Sequence, residues 1–335
     1  MQRHGIRERW FEYRDQALRE IAISWCQEHG LKYSAFHLVV LDLAAGAISL
    51  SLWTPAIADA IMDRIMSARL ALLTACLVFS VAAADPAPVK PARPARIFNG
   101  RDLTGFYTFL EHGKYDDPKA VITVRDGMIR ISGEEWGGLT TKDAYREYHL
   151  RVEWKWGAKT WGDREGKARD SGILLHGTGP DTGGRRGYWL QSIEYQVIEG
   201  GTGDLILVQG ETTPALTAEA REEPGGEVYW QKGGKSLHTD SKRINWYGRD
   251  PRWQDVLGFR GRRDVEHLAG EWNVSEVLCD GDSITAMLNG KVVNHATQAS
   301  QAAGKILIQS EGAEIFIRHF EIGPVTDQVR KRFRP

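Results

Sequence analysis

Four side chains within 147–199 have types and spacing suited to joint chemistry: Glu153, His176, Glu194 and Gln196. A carboxylate with a tuned pKa serves as general base or acid, an imidazole does the same near neutrality or ligates a metal, and an amide holds a polar substrate. Glu194 stands two residues before Gln196, so on a strand both project from one face, and His176 ends the otherwise apolar run 172–175. The expected acid–base residues are therefore Glu194, His176 and Glu153. His176 and Glu194 are also the candidate ligands of a divalent metal ion, and Gln196 a substrate contact. Each residue taken alone has a plainer role open to it, as a solvated carboxylate or a satisfied strand-end histidine.

Strands must carry these residues. In the run 148–156, Leu150, Val152, Trp154 and Trp156 alternate with Arg151, Glu153 and Lys155; in the run 192–197, Ile193, Tyr195 and Val197 alternate with Ser192, Glu194 and Gln196. Pairing these two runs with 172–176 side by side would give one sheet with an apolar back and a polar front. Asp126-Gly127, Asp280-Gly281 and Asn289-Gly290 each separate two strand-like runs and supply the positive φ of type I′ hairpins. A last pair, 305–309 and 314–322, flanks a Ser-Glu-Gly-Ala turn, and no helical period outlasts a turn or two in 97–323. The fold class expected is an all-β sandwich of two antiparallel sheets, since one apolar face must be buried against another. The polar, Gly-rich stretch 199–251 reads as long loops walling the front face, with Trp246 and Tyr247 as substrate contacts. Lys142, Gln309, Glu311 and Arg318 complete the candidate substrate-binding set. Arg318 stands between Phe316 and Phe320 and needs a carboxylate partner if buried.

The chain has 335 residues and a formal net charge of −1, so no bulk charge argues for nucleic acid. Twelve tryptophans, nine of them from Trp136 to Trp272, supply flat apolar rings of the kind on which pyranose C–H faces stack. Residues 66–84 read as a secretory signal, with Arg69, an apolar run and the small residues Ala82-Ala83-Ala84. The expected organisation is a mis-assigned N-terminal extension over 1–65, a signal over 66–84, a Pro/Ala linker over 85–96, one β-domain over 97–323 and a solvated basic tail over 324–335. That places the protein in the periplasm or outside the cell, with membrane attachment only if Cys76 is lipidated. The domain retains one cysteine, Cys279, and no Cys/His metal spacing; no nucleotide cofactor is expected.

IFNGRDLTGF at 97–106, DSGILLHG, IEYQVIE, NWYGRDPRWQDVLGFRG, the GEWN of 270–273, LNGKVV and GKILIQSEGAEIFIRHFEI follow one another in an order that resembles the 3-keto-disaccharide hydrolase family, formerly domain of unknown function 1080. The resemblance spans nearly all of 97–323. It implies a concanavalin-like jelly roll acting on sugars: elimination across C2 and C1 of a 3-keto-glycoside, then hydration. It further implies an oxidised oligosaccharide or glycoside as substrate and a functional link to a sugar 3-dehydrogenase. His176 departs from the family pattern, in which an Arg often ends that strand. The residues alone leave a non-catalytic carbohydrate-binding module open beside the enzyme.

Overall fold

Apolar and polar residues alternate along this chain's strands, and the alternation sorts them into two facing sheets. The computed structural model describes residues 86–335 except Arg185; the extension 1–65, the signal-like segment 66–84 and Cys76 lie outside the described residues. The strands are β1 (Ala95–Arg96), β2 (Phe106–Leu110), β3 (Ile122–Arg125), β4 (Met128–Ile131), β5 (Gly137–Thr141), β6 (Tyr145–Arg146) and β7 (Tyr148–Thr160). There follow β8 (Asp170–Thr178), β9 (Gln191–Ile198), β10 (Leu205–Val208), β11 (Leu216–Glu222), β12 (Val228–Trp230), β13 (Lys235–Thr239) and β14 (Ile244–Asn245). The last five are β15 (Asn273–Asp280), β16 (Ser283–Leu288), β17 (Lys291–Ala296), β18 (Ala303–Ser310) and β19 (Ala313–Pro324), with a terminal helix α1 (Asp327–Arg332). No helix among the described residues is long and apolar enough to cross a membrane.

The back sheet runs β17-β16-β15-β7-β19-β4-β3, with β1 on β19. The front sheet runs β13-β11-β12-β14-β10-β9-β8-β18-β5-β2, with β6 on β18. β12 pairs with β14 in parallel, whereas the central ladders of both sheets are antiparallel. This is the all-β jelly-roll sandwich the alternation predicts. Between the sheets, Trp154, Trp156, Ile317 and Phe320 meet Ile173, Ile193, Tyr195 and Ile308, all nearly inaccessible. A tryptophan so buried removes roughly 200 Å² from water, about 5 kcal/mol before the entropy of ordering is subtracted.

Several expectations are corrected. β7 is in the back sheet while β8 and β9 are in the front, so the three runs do not share one sheet. β18 and β19 likewise belong to different sheets, and Glu311-Gly312 crosses between them. Asp126-Gly127 and Asn289-Gly290 do take positive φ at both residues; at the third turn Asp280 is paired to Ser283, and Gly281-Asp282 makes the turn. The stretch 199–251 is not loop alone: it supplies β10–β14, whose Leu205, Leu216, Val228 and Ile244 enter the core. Its strands are short and flanked by glycines, which hides their period.

The linker and the tail are also held. Val89 bridges Tyr145 and Lys90 pairs with Glu147, so the Pro/Ala segment lies along the domain. In the tail, Phe333 is 2% exposed against Leu278 and Met287 of the back sheet.

Candidate functional site

The register of β8, β9 and β18 builds the site on the outer face of the front sheet. Gly172 faces Gln196, Leu174 faces Glu194, and Leu307 faces Leu174, which brings Gln309 beside Gly172. Asp170, two residues before Gly172, projects from the same face. A Cβ at position 172 would collide with Glu194 Oε1 and Gln309 Oε1 together, so the glycine is what lets these two side chains close over the strand.

Asp170, Glu194 and Gln309 are all buried, yet Asp170 Oδ1, Glu194 Oε1 and both amide atoms of Gln309 have no hydrogen-bond partner among the described residues. Buried polar atoms are ordinarily paired, so a group of orphans marks a place where something else binds. Burial, reinforced by the neighbouring Asp170 charge, pushes the Glu194 carboxyl up to about 8. Burial likewise pushes Asp170 up to about 7, against the opposing charges of Arg164 and Arg243. Glu311, at the crossing turn, is raised well above the ordinary range by burial and by the charges of Asp170 and Glu194. Arg164 lies 3.7 Å from Asp170 and holds Asp255 at 2.7 Å; Arg243 donates to the fully buried Asp204 at 2.9 Å from Nε and 2.5 Å from Nη2.

Of these groups, Glu194 and Glu311 border a cavity of about 330 Å³, lined also by Arg186, Trp189, Gln196 and Ser241 among others. Its aromatic wall stands on the outer face of the front sheet, where Phe109, Leu174, Tyr188, Trp189 and Leu307 pack together. Trp136 and Trp189 approach to 5.7 Å between ring centroids, and the Arg186 guanidinium sits 5.1 Å from the Trp136 ring. Trp189 Nε1 donates to the Gly137 carbonyl at 2.7 Å, which fixes its ring. Carboxyls, an amide, a cation and an indole ring, from Glu194, Glu311, Gln196, Arg186 and Trp189, thus line one cavity, with Asp170 and Gln309 buried beside Glu194 on the same sheet face.

Of the expected residues, the structure brings together Glu194, Gln196, Gln309 and Glu311. The others lie elsewhere. His176 takes φ +55° at a register shift after Leu175, and its fully buried ring turns between the sheets, 5.5 Å from the Tyr148 ring and 2.9 Å from the Gln301 carbonyl. Burial lowers its pKa to about 4, so it is neutral, and it does not pair with Glu194. Among the described residues no group of three or more His, Cys, Asp or Glu side chains is arranged to hold a metal ion. His176 and Glu194 turn to opposite faces of the front sheet and so do not form the expected pair of metal ligands.

Glu153 projects from the outer face of the back sheet, opposite to the face that carries Glu194. Arg318 donates to it at 2.5 Å and Arg151 pairs with it, and these bonds hold its carboxyl below the usual range despite burial. A paired-carboxylate glycosidase built on Glu153 and Glu194 is excluded by that placement. Arg318 shares the outer face with Phe316 but not with Phe320, because a bulge after Ile317 turns Phe320 inward; its guanidinium lies 4.2 Å from the Trp272 ring. Lys142 is exposed beside the Pro/Ala segment, Trp246 is core at 1% exposure, and Tyr247 borders a different groove.

Asp170, Arg186, Arg243, Trp136 and Trp189 belong to the site without having been singled out. Asp170 was within reach of parity, since it alternates with Gly172 and Leu174. The arginines arrive through loops, for which the chain offers no period.

The profile of the family described as 3-keto-alpha-glucoside-1,2-lyase-like domain matches residues 93–323. No curated protein matches the chain. Among solved structures, a candidate glycosyl hydrolase from Parabacteroides distasonis ATCC 8503 is similar at 19% identity and a TM-score of 0.41, covering 70% of this chain and 94% of that one. The β-glucanase of Bacillus licheniformis is similar at 14% identity and a TM-score of 0.36, covering 69% and 97%. The carbohydrate binding module CBM66 of Bacillus subtilis is similar at 9% identity and a TM-score of 0.34, covering 66% and 96%.

Proposed function

Because the chain belongs to the carbohydrate-active family of 3-keto-alpha-glucoside-1,2-lyase-like domains, we propose that the front cavity cleaves 3-keto-glycosides by elimination followed by hydration. The ketone at C3 acidifies the C2 proton. A carboxylate takes that proton, and the electron pair of the C–H bond forms the enolate, C2=C3–O⁻. As the ketone re-forms, the pair shifts to C1=C2 and the C1–O bond breaks, the departing alkoxide taking a proton to leave as an alcohol. Water then adds across C1=C2, hydroxyl to C1 and proton to C2, and the net result is hydrolysis.

Asp170 and Glu194 share the base and acid roles, since two neighbouring buried carboxyls do not ionise together and so hold one proton between them. The Gln309 amide and the Arg186 guanidinium stabilise the enolate oxygen, and the Trp136–Trp189 wall stacks the sugar ring. The observation that carries this reading is the convergence of unpartnered buried oxygens of Asp170 and Glu194 with the unpartnered amide of Gln309. Oxidation of the C3 carbinol, the chemistry of a sugar 3-dehydrogenase, is the class of reaction that supplies the ketone. The signal-like segment 66–84 supports placing this activity outside the cytoplasm.

The test offers the full chain a 3-keto-glucoside and the matching unoxidised glucoside, each with and without chelator. Release of alcohol from the keto form alone, abolished in Glu194→Gln, is expected. Cleavage of both sugars would overturn elimination, and binding of either without cleavage would make the domain a carbohydrate-binding module. Loss of activity on chelation would restore the metal.

A further inference from the structure

Another cavity is lined by neither Asp170 nor Glu194. It measures about 820 Å³ and is bordered by five arginines, Arg221, Arg249, Arg252, Arg262 and Arg263, against two carboxylates, Glu223 and Asp250. Most of this charge is answered. Arg249 pairs with the buried Asp204, Arg221 with Glu223, and Arg252 with Asp250 at 3.5 Å. Arg262 and Arg263 have no carboxylate partner among the described residues, and both are exposed. Two guanidiniums therefore stand over the groove with their donor forks free, and that fork matches a carboxylate or sulfate oxygen pair.

The groove does not end there. A second cavity of about 430 Å³ shares Arg221, Tyr247 and Arg263 with it and adds Trp230 and Lys232. Each is the size of a pocket that holds a small ligand, and together they form one trough. Its floor is aromatic: Tyr247 and Trp230 meet edge to face at 6.0 Å. Trp230 is 6% exposed, and its Nε1 donor is buried with no partner among the described residues, a group left for an incoming acceptor. Free guanidiniums, the partly exposed Tyr247 ring and an unpaired indole N–H along one trough meet the requirements of a sugar chain bearing negative charge.

We propose that this trough is a second carbohydrate site, which binds glycan chains carrying anions on their rings, uronates or sulfate esters. The proposal rests on the carbohydrate-active character of the family and is independent of the elimination mechanism. Arg262 and Arg263 hold the anion, Tyr247 stacks a ring, and Trp230 Nε1 donates to a ring or hydroxyl oxygen.

Titration of the full chain with polygalacturonate, dextran sulfate, neutral dextran and a single-stranded oligonucleotide of matched charge tests it. At least one anionic glycan is expected to bind about tenfold or more tightly than either control, as befits charge-assisted bonds lost one or two at a time. Preference between the two glycans assigns uronate or sulfate. Arg262→Glu/Arg263→Glu, at two exposed positions, is expected to abolish this binding with an unchanged unfolding midpoint. Tyr247→Ala is expected to weaken the glycan and leave the oligonucleotide unaffected. Binding of neither glycan, or binding of the oligonucleotide as tightly with no effect of Tyr247→Ala, would overturn the proposal. Because the readout is affinity, it stands or falls apart from cleavage of any 3-keto-sugar.

Discussion

At the scale of single residues, the site depends on two neighbouring carboxyls that titrate near neutrality. With Asp170 raised to about 7 and Glu194 to about 8, one proton is held by the pair between those values. The proposed reaction needs one carboxylate and one carboxylic acid, so kcat/KM on a 3-keto-glucoside should be bell-shaped with its maximum between about pH 7 and 8. Below that window both are protonated and neither can act as base; above it neither Asp170 nor Glu194 keeps a proton to give. Glu194→Gln removes one titration and should cost 10²–10⁴-fold, the usual range for a positioned acid or base,, while a flat profile would remove the pair from the chemistry. Gly172 offers a second check. An added methyl would push Glu194 and Gln309 apart, and a displacement of about 1 Å can cost 10²-fold. Gly172→Ala should therefore lose about that much in kcat with an unchanged circular dichroism spectrum.

At the scale of elements, the docked C-terminus is the expectation most easily checked. Thr326 caps α1 by accepting from Val329 N–H, Arg330 bonds Asp280, and Arg332 bonds Glu276, which orients Phe333 into the back sheet. Phe333→Ala should lower stability by about 3 kcal/mol, read as a shift in urea midpoint,, with no effect on cleavage by the folded enzyme, since the front cavity is untouched. An unchanged midpoint would return the tail to a solvated end. Its polar composition concealed this, because one aromatic among four basic residues gives no period. The same limit governed the site. Strand alternation made Glu194, Gln196 and the sandwich legible, since period 2 is a local property. Sheet membership was not legible, because the sequence of β7, β8 and β9 is indifferent to whether the chain crosses between sheets at the loop 161–169. His176 failed for a finer reason: one left-handed residue reverses the facing of everything after it, and nothing in Leu-Leu-His-Gly announces that turn.

At the scale of the whole molecule, the two sheets are tied by a buried acid outside the site. Trp156 of the back sheet donates its Nε1–H to Glu266 Oε1 at 2.8 Å, and Thr202, in the loop after β9, places Oγ1 2.8 Å from Oε2. Thr202 Oγ1 is also 3.1 Å from the Ile198 carbonyl. One hydroxyl proton serves one acceptor; given to Ile198, it leaves Oε2 to supply its own. Burial, with the neighbouring Asp264 charge, raises Glu266 to about 8, so the acid form is the one the fold holds. A raised folded pKa means that the folded state binds the extra proton, so the stability it contributes is complete below the unfolded value near 4.5 and is lost as pH rises through about 8. Between those limits one such group changes stability by about 1 kcal/mol per pH unit. Gln reproduces the protonated acid, with its amide N–H toward Thr202 and its oxygen toward Trp156, but cannot ionise. Glu266→Gln should therefore match the parent chain in urea midpoint near pH 5 and exceed it at pH 8. Equal destabilisation at every pH would show instead that the ionised carboxylate is what joins the sheets.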